Sequence, residues 1–330
     1  MRKLALLLVW ILMAAAGPAG AQQPNSAAPV SPDGSAVQEQ QLLSEGARIR
    51  GRIDIPDAKS AVLEQPTGRK WDYFHEVFLH WFGTIALIGT LLILAAGYFL
   101  LGRLRISAGR SGQKIVRFSS LERFSHWLTA VSFVILGLTG LNITFGKLLL
   151  LPLIGPESFS AFSQVSKYIH NFVSFAFIVG LVLIVGLFFK DNIPRKVDVE
   201  WFKKGGGFIK SKHAPAGRFN GGEKIVYWGA LGGGLAVIVS GLLLLFPFYG
   251  TNILGMQVAQ VVHAIVAVLF VALILGHIYI GTLGMEGAFE AMGTGEVDRN
   301  WAKEHHDLWF NEVVAREGAQ TRGEPPGTAK

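Results

Sequence analysis

Five apolar runs dominate this sequence, at about 77–101, 124–145, 168–189, 225–246 and 257–281. Each is near the ~20 residues a helix needs to cross a bilayer. In hydrocarbon every backbone N–H and C=O must be bonded within its own segment, so runs of this kind are expected to be α-helices. The chain is 51% hydrophobic and its mean hydropathy is +0.41, well above what a soluble domain of 330 residues ordinarily averages. The expected fold class is therefore all-α, an integral membrane helical bundle with five transmembrane helices. Ser119 and Glu122 have capping-box spacing just ahead of the second run, and Pro247 closes the fourth.

The loops orient the bundle. Residues 102–123 carry Arg103, Arg105, Arg110, Lys114, Arg117 and Arg123 against one acid, Glu122, and residues 190–224 carry nine Lys or Arg. By contrast the only bases in 146–167 are Lys147 and Lys167, and 247–256 has no charge. Positive-inside logic places the first two loops in the cytoplasm and the other two outside. Residues 1–21 read independently as a signal peptide: Arg2-Lys3, an apolar run from Leu4, then Ala19-Gly20-Ala21. A signal peptide starts the mature chain outside, and five spans then end it inside. The expected location is a bacterial inner (plasma) membrane, multi-pass in membrane lipid, with a periplasmic mature N-terminus and a cytoplasmic C-terminus. Residues 22–70, rich in Gln, Pro, Ser and Ala, are expected to be an extended extracytoplasmic segment. The net charge of +7 lies in loops between apolar runs and not on one soluble face, which argues against nucleic acid as a partner.

The chain has no cysteine, so it can hold no disulfide, thiolate zinc site, iron–sulfur cluster or covalently attached c-type haem. Any redox cofactor must be held non-covalently, and histidine is the residue to look for. An ionisable side chain at membrane depth is costly and points to function. His263 and His277 lie 14 residues apart on the fifth run. On a helix that is about 21 Å of rise and about 40° short of four turns, so the rings leave nearly one face toward opposite sides of the membrane. His126 opens the second run level with His277, and His170 opens the third level with His263. Two axial imidazoles complete a low-spin b-type haem, which suits electron transfer because no coordination site stays open. The competing reading is that each histidine only hydrogen-bonds between helices. Four at matched depths favour two haem b groups, with those four side chains as iron ligands.

The other histidines carry less. His75 and His80, five apart, should face about 140° away from each other on an α-helix and read as interfacial residues beside Trp71, Tyr73 and Trp81. His213 falls in a basic loop, and His305-His306 reads as solvated surface in a charged tail. Gly137, Gly140, Gly241 and Gly276 suit close approach of a macrocycle or of another helix alike.

From about Arg117 to Phe310 the chain resembles the gamma, cytochrome b, subunit of membrane-bound respiratory formate dehydrogenases. The segments that carry the likeness are RFSHW around His126, YIHNF around His170, DNIPRKVD from Asp191, RFNGGEK from Arg218, VVHAIVA around His263, GHIYIG around His277 and WAKEHHDLWF from Trp301. The resemblance implies the same ligand pairing, His170 with His263 and His126 with His277. It also implies a menaquinone or ubiquinone site at the loop before the fourth span, where Asn220, Gly221, Gly222 and Glu223 match a family pattern close to Asn-Ala-Gly-Gln. Asn220 could donate to a quinone carbonyl. Glu223 stands where the family has glutamine, as a proton donor or as a helix N-terminal charge favoured by the dipole. The implied partners are an iron–sulfur beta subunit and a molybdenum or tungsten catalytic alpha subunit.

The ends depart from that family, whose members begin near RFSHW with four spans. The expected organisation is a signal peptide at 1–21, the outer segment at 22–70, an extra span with its basic loop at 71–116, a four-helix dihaem cytochrome b domain at 117–300 and a cytoplasmic tail at 301–330. The expected function is to anchor a formate dehydrogenase and carry electrons from its iron–sulfur subunit to quinone, while formate oxidation lies on the partner. The alternatives are the cytochrome b of a membrane hydrogenase or thiosulfate reductase, and a haem-free membrane anchor. A transporter is disfavoured because matched broken-helix halves are missing from the sequence.

Overall fold

Long helices grow where an apolar run is preceded by capping chemistry, and the second span starts in that way. Ser119 accepts from the Glu122 N–H while the Glu122 carboxylate accepts from the Ser119 N–H, a complete capping box. The structure is a computed structural model that describes residues 68–206, 214–247 and 249–321. The expected signal peptide, most of the outer segment, His213 and the last residues of the tail lie outside the described residues.

Among the described residues five helices are long and apolar enough to cross a membrane: Lys70–Leu101, Ser120–Leu149, Pro156–Phe188, Gly221–Leu245 and Ile253–Gly284. They are called the first to fifth spans. The second and third pack along their length, the fourth and fifth form another such pair, and the first lies against the fifth. Small residues set the closest approach. A Cβ on Gly180 of the third span would come within 3.0 Å of the Thr129 backbone on the second. Large apolar side chains on the outer faces are exposed, as lipid-facing surface should be.

Three expectations change. The segment 146–167 is not an open loop: the second span runs to Leu149, a helical turn follows at Leu151–Ile154, and the chain reverses at Gly155, whose φ is 77°. Hydropathy missed this because the third span starts in polar sequence at Pro156, so His170 opens the apolar run but lies well inside the helix. A π-helical turn at Phe74–Phe78 interrupts the first span. Its i→i+5 bonding widens the turn, so residues five apart come round toward one face. His75 and His80 are consequently close enough to interact, and the His75 ring lies 4.6 Å from that of Trp71. His80 reaches the second span, with Nε2 3.0 Å from the Thr144 carbonyl oxygen.

The third correction concerns His306, which is 1% exposed and not solvated. The chain after the fifth span folds back over the basic end of the bundle through helices Ala288–Gly293, Arg299–His305 and Asp307–Thr321. Strand β1, Lys114–Val116, pairs antiparallel with β2, Glu296–Asp298, tying the first basic loop to this layer. Phe118, Phe188, Tyr227, Val297, Trp301 and Trp309 form its apolar centre. His306 Nδ1–H donates to the Gly217 carbonyl at 2.8 Å. Burial, with Arg117 close by, pushes its pKa down to about 3.

The depressed pKa fixes the sign of a pH effect. The unfolded imidazole takes a proton below about pH 6.5, whereas the folded one stays neutral, so acidification favours unfolding. Stability should fall by up to about 1.4 kcal/mol per pH unit between about pH 6.5 and 3 from this group alone. Thermal unfolding of the detergent-purified protein at pH 7.5 and pH 5 should show the loss. His306→Asn, which keeps a donor for Gly217, should flatten it.

Candidate functional site

The four membrane histidines meet in two pairs. His126 and His277 have ring centroids 6.0 Å apart with planes inclined at 62°. His170 and His263 have centroids 6.2 Å apart at 68°. An imidazole nitrogen binds a transition metal at about 2 Å and lies about 1.1 Å from its ring centre, so two imidazoles trans across one metal have centroids about 6.3 Å apart. Both pairs have that spacing. Direct ring-to-ring hydrogen bonding would draw the nitrogens together instead.

At the end away from the basic loops, the tautomer is set as well. Thr139 Oγ1 donates its one hydrogen to the Ile135 carbonyl at 2.8 Å and lies 2.9 Å from His170 Nδ1. Ser240 Oγ donates to the Ala236 carbonyl at 2.6 Å and lies 3.1 Å from His263 Nδ1. Assigning both hydroxyl hydrogens to the i−4 carbonyls makes each Nδ1 the donor to the hydroxyl oxygen. Nε2 then carries the lone pair, as an axial ligand requires. Glycines admit the rings: a Cβ on Gly140 would lie 3.5 Å from His170 Cε1, and one on Gly241 would lie 3.1 Å from His263 Cε1. A Cβ on Gly137 would make ordinary contact with Val271, and one on Gly276 would meet nothing within 4 Å.

The two pairs are separated by packed aromatics. Phe270 is seven residues from both His263 and His277, and its ring lies 4.6 Å from Phe133 and 6.3 Å from Phe177. Phe177 and Phe270 are buried, with Leu181, in the middle of the bundle. A close-packed apolar layer here keeps water out of the space between the pairs.

At the basic end, Asn220 caps the fourth span: its Oδ1 accepts from the Glu223 N–H, and the Glu223 carboxylate accepts from the Asn220 N–H. Glu223 also accepts from Arg117 at 2.9 Å and lies 3.8 Å from His306 Nε2. The carboxylate is therefore a helix N-terminal charge held in an ion pair, its side chain 34% exposed, and not simply solvated. A Cβ on Gly222 would lie 3.1 Å from the Trp201 ring, so the loop packs tightly on helix Lys196–Lys203.

Sequence reasoning missed the network around this loop. Arg117 and Arg218 each donate to the other's carbonyl oxygen, and Arg218 also pairs with Glu122 and Asp191 at 2.8 Å each. Lys224 pairs with Asp198 at 2.8 Å in a largely buried bridge. It also missed Thr139 and Ser240, whose signal was present: each is a hydroxyl directly before a glycine inside an apolar run.

Comparison with known proteins finds cytochrome b subunits. The chain is 29% identical over 203 residues to the formate dehydrogenase cytochrome b556(fdo) subunit of Escherichia coli (strain K12), covering 60% of this chain and 93% of that one. It is 28% identical over 209 residues to the nitrate-inducible formate dehydrogenase cytochrome b556(Fdn) subunit of the same strain, covering 62% and 93%. It is 27% identical over 207 residues to the formate dehydrogenase cytochrome b556 subunit of Haemophilus influenzae, covering 61% and 84%. The prokaryotic cytochrome b561 family matches residues 117–295, over half of the chain and the part that holds all four paired histidines. With a helical membrane bundle and imidazole pairs spaced for iron, this protein belongs to the prokaryotic cytochrome b561 family.

Proposed function

We propose that this chain is the dihaem membrane subunit of a formate dehydrogenase, reducing quinone at its basic end. The observation that carries the reading is the pair of imidazole couples at 6.0 and 6.2 Å, stacked along the fifth span. The names of its relatives supply formate as the electron source. Bound between these pairs, two low-spin haem b groups would supply one-electron carriage across the hydrocarbon core.

The chain's own residues do the rest. His126 with His277, and His170 with His263, would hold the two groups. The Phe133, Phe177 and Phe270 layer excludes water between them. Asn220 and Gly222 form the quinone-binding edge, Asn220 donating to a carbonyl oxygen. Arg117 holds the Glu223 carboxylate in place beside that edge. The basic side faces the cytoplasm of a bacterial inner membrane, by the density of Lys and Arg in its loops.

With no cysteine of its own, the chain depends on a partner for iron–sulfur clusters. The partners are an iron–sulfur subunit that delivers electrons at the outer pair and a catalytic molybdenum or tungsten subunit. The test uses the assembled complex. His277→Ala should leave formate-dependent reduction of a soluble dye intact. Formate-dependent quinone reduction should fall by more than the 10–100-fold typical of losing an outer-shell metal partner. Unchanged quinone reduction would mean that the subunit is a haem-free anchor.

A further inference from the structure

The two histidine pairs are not equivalent, and the difference lies on Nδ1. In the pair away from the basic loops, both imidazoles donate Nδ1–H to a hydroxyl oxygen, to Thr139 at 2.9 Å and to Ser240 at 3.1 Å. Both hydroxyls sit on the span next to the one bearing the histidine, and each is followed by the glycine that admits the ring. In the other pair, His126 Nδ1 is buried with no hydrogen-bond partner among the described residues. One device is thus built twice at one site, whereas a ligand of the other site goes without it.

We infer that Thr139 and Ser240 are positioning residues that lower the reduction potential of the haem held by His170 and His263 relative to the haem held by His126 and His277. This rests on the dihaem reading above. A hydrogen bond from Nδ1–H makes the imidazole a stronger donor through Nε2. A more electron-rich axial ligand stabilises ferric over ferrous iron, and second-shell hydrogen bonding is one of the protein's levers on haem potential. An unpartnered Nδ1–H at His126 withholds that donation, so iron at the basic end is the easier to reduce. The order favours an electron arriving at the hydroxyl-bearing pair and moving toward the basic end, where the quinone loop lies.

The test is a redox titration of the purified full-length protein, followed by haem absorbance. The wild type should resolve two midpoints. His277→Ala, which leaves only the outer group, assigns the lower one to the His170–His263 pair. Ser240→Ala and Thr139→Val should each retain two haems and raise only that lower midpoint. A tenfold change in ferric preference, the low end of what an outer-shell partner typically contributes, equals about 59 mV for a one-electron couple. Ser240→Thr and Thr139→Ser, which keep a hydroxyl, should restore the wild-type value. Two haems with unmoved midpoints in both variants, or movement of the higher midpoint, would overturn the inference and leave the dihaem reading intact. Loss of the outer haem from both variants would also overturn it, since the hydroxyls would then serve to hold the group and not to tune it. A wild type that contains no haem would overturn both readings.

Discussion

Replacing Gly180 with leucine forces the second and third spans apart and disrupts both histidine pairs at once. The reason is where the contact falls. A Cβ at this position would meet Thr129 Oγ1 at 2.5 Å and the Thr129 backbone N and Cα at 3.0 Å. A side chain can rotate away, but the backbone of a packed helix cannot. Overpacking a well-packed core typically costs 1–3 kcal/mol, and a clash against backbone belongs at or above about 3 kcal/mol. The second and third spans also contribute one histidine to each pair, His126 and His170, so displacement is felt at both sites. Gel filtration in detergent should show loss of the monodisperse species, and haem per chain should fall with it. Gly186→Leu is the control on the same span, since a Cβ there meets nothing within 4 Å. It should stay within about 0.5 kcal/mol of the parent, as surface substitutions usually do. Equal behaviour of the two variants would mean that the spans do not meet at Gly180.

Single histidine replacements should sort into two classes defined by pairing. His170→Ala and His263→Ala should each give a protein with one haem, and the two spectra should match, because both lose the same group. His126→Ala and His277→Ala should give the other one-haem protein. The centroid distances of 6.2 and 6.0 Å require this sorting. Removing a first ligand should cost more than the 10–100-fold in affinity that loss of an outer-shell partner typically costs, enough to empty the site on purification. If His170→Ala and His126→Ala shared a spectrum instead, the pairs would have been drawn across the wrong helices.

What the sequence made legible follows from which signals are local. Apolar runs near twenty residues specify spans by themselves, and the number and order of spans follow. His263 and His277 share one helix, so their common face is a consequence of helical pitch alone. Their partners were reachable by matching depth through the loops, and the structure brings those residues together. Signals that depend on distant chain were not legible. Strand β1 pairs with β2 across 180 residues, and neither three-residue strand has a pattern of its own. His306 looks like surface in its charged neighbourhood, and it is buried only because the tail returns to Gly217. The third span begins in polar residues that hydropathy leaves to the loop, because Pro at its first helical position starts a helix without needing apolar sequence. Thr139 and Ser240 were visible as residues, but their meaning needed the ring of a neighbouring span.

The measurement that bears most directly on the central claim is a reduced-minus-oxidised absorption spectrum of the purified membrane protein with pyridine haemochrome quantitation. The two histidine pairs predict two b-type haems per chain. A well-folded preparation with no haem would contradict the account and leave a membrane anchor whose histidines serve only to pack helices.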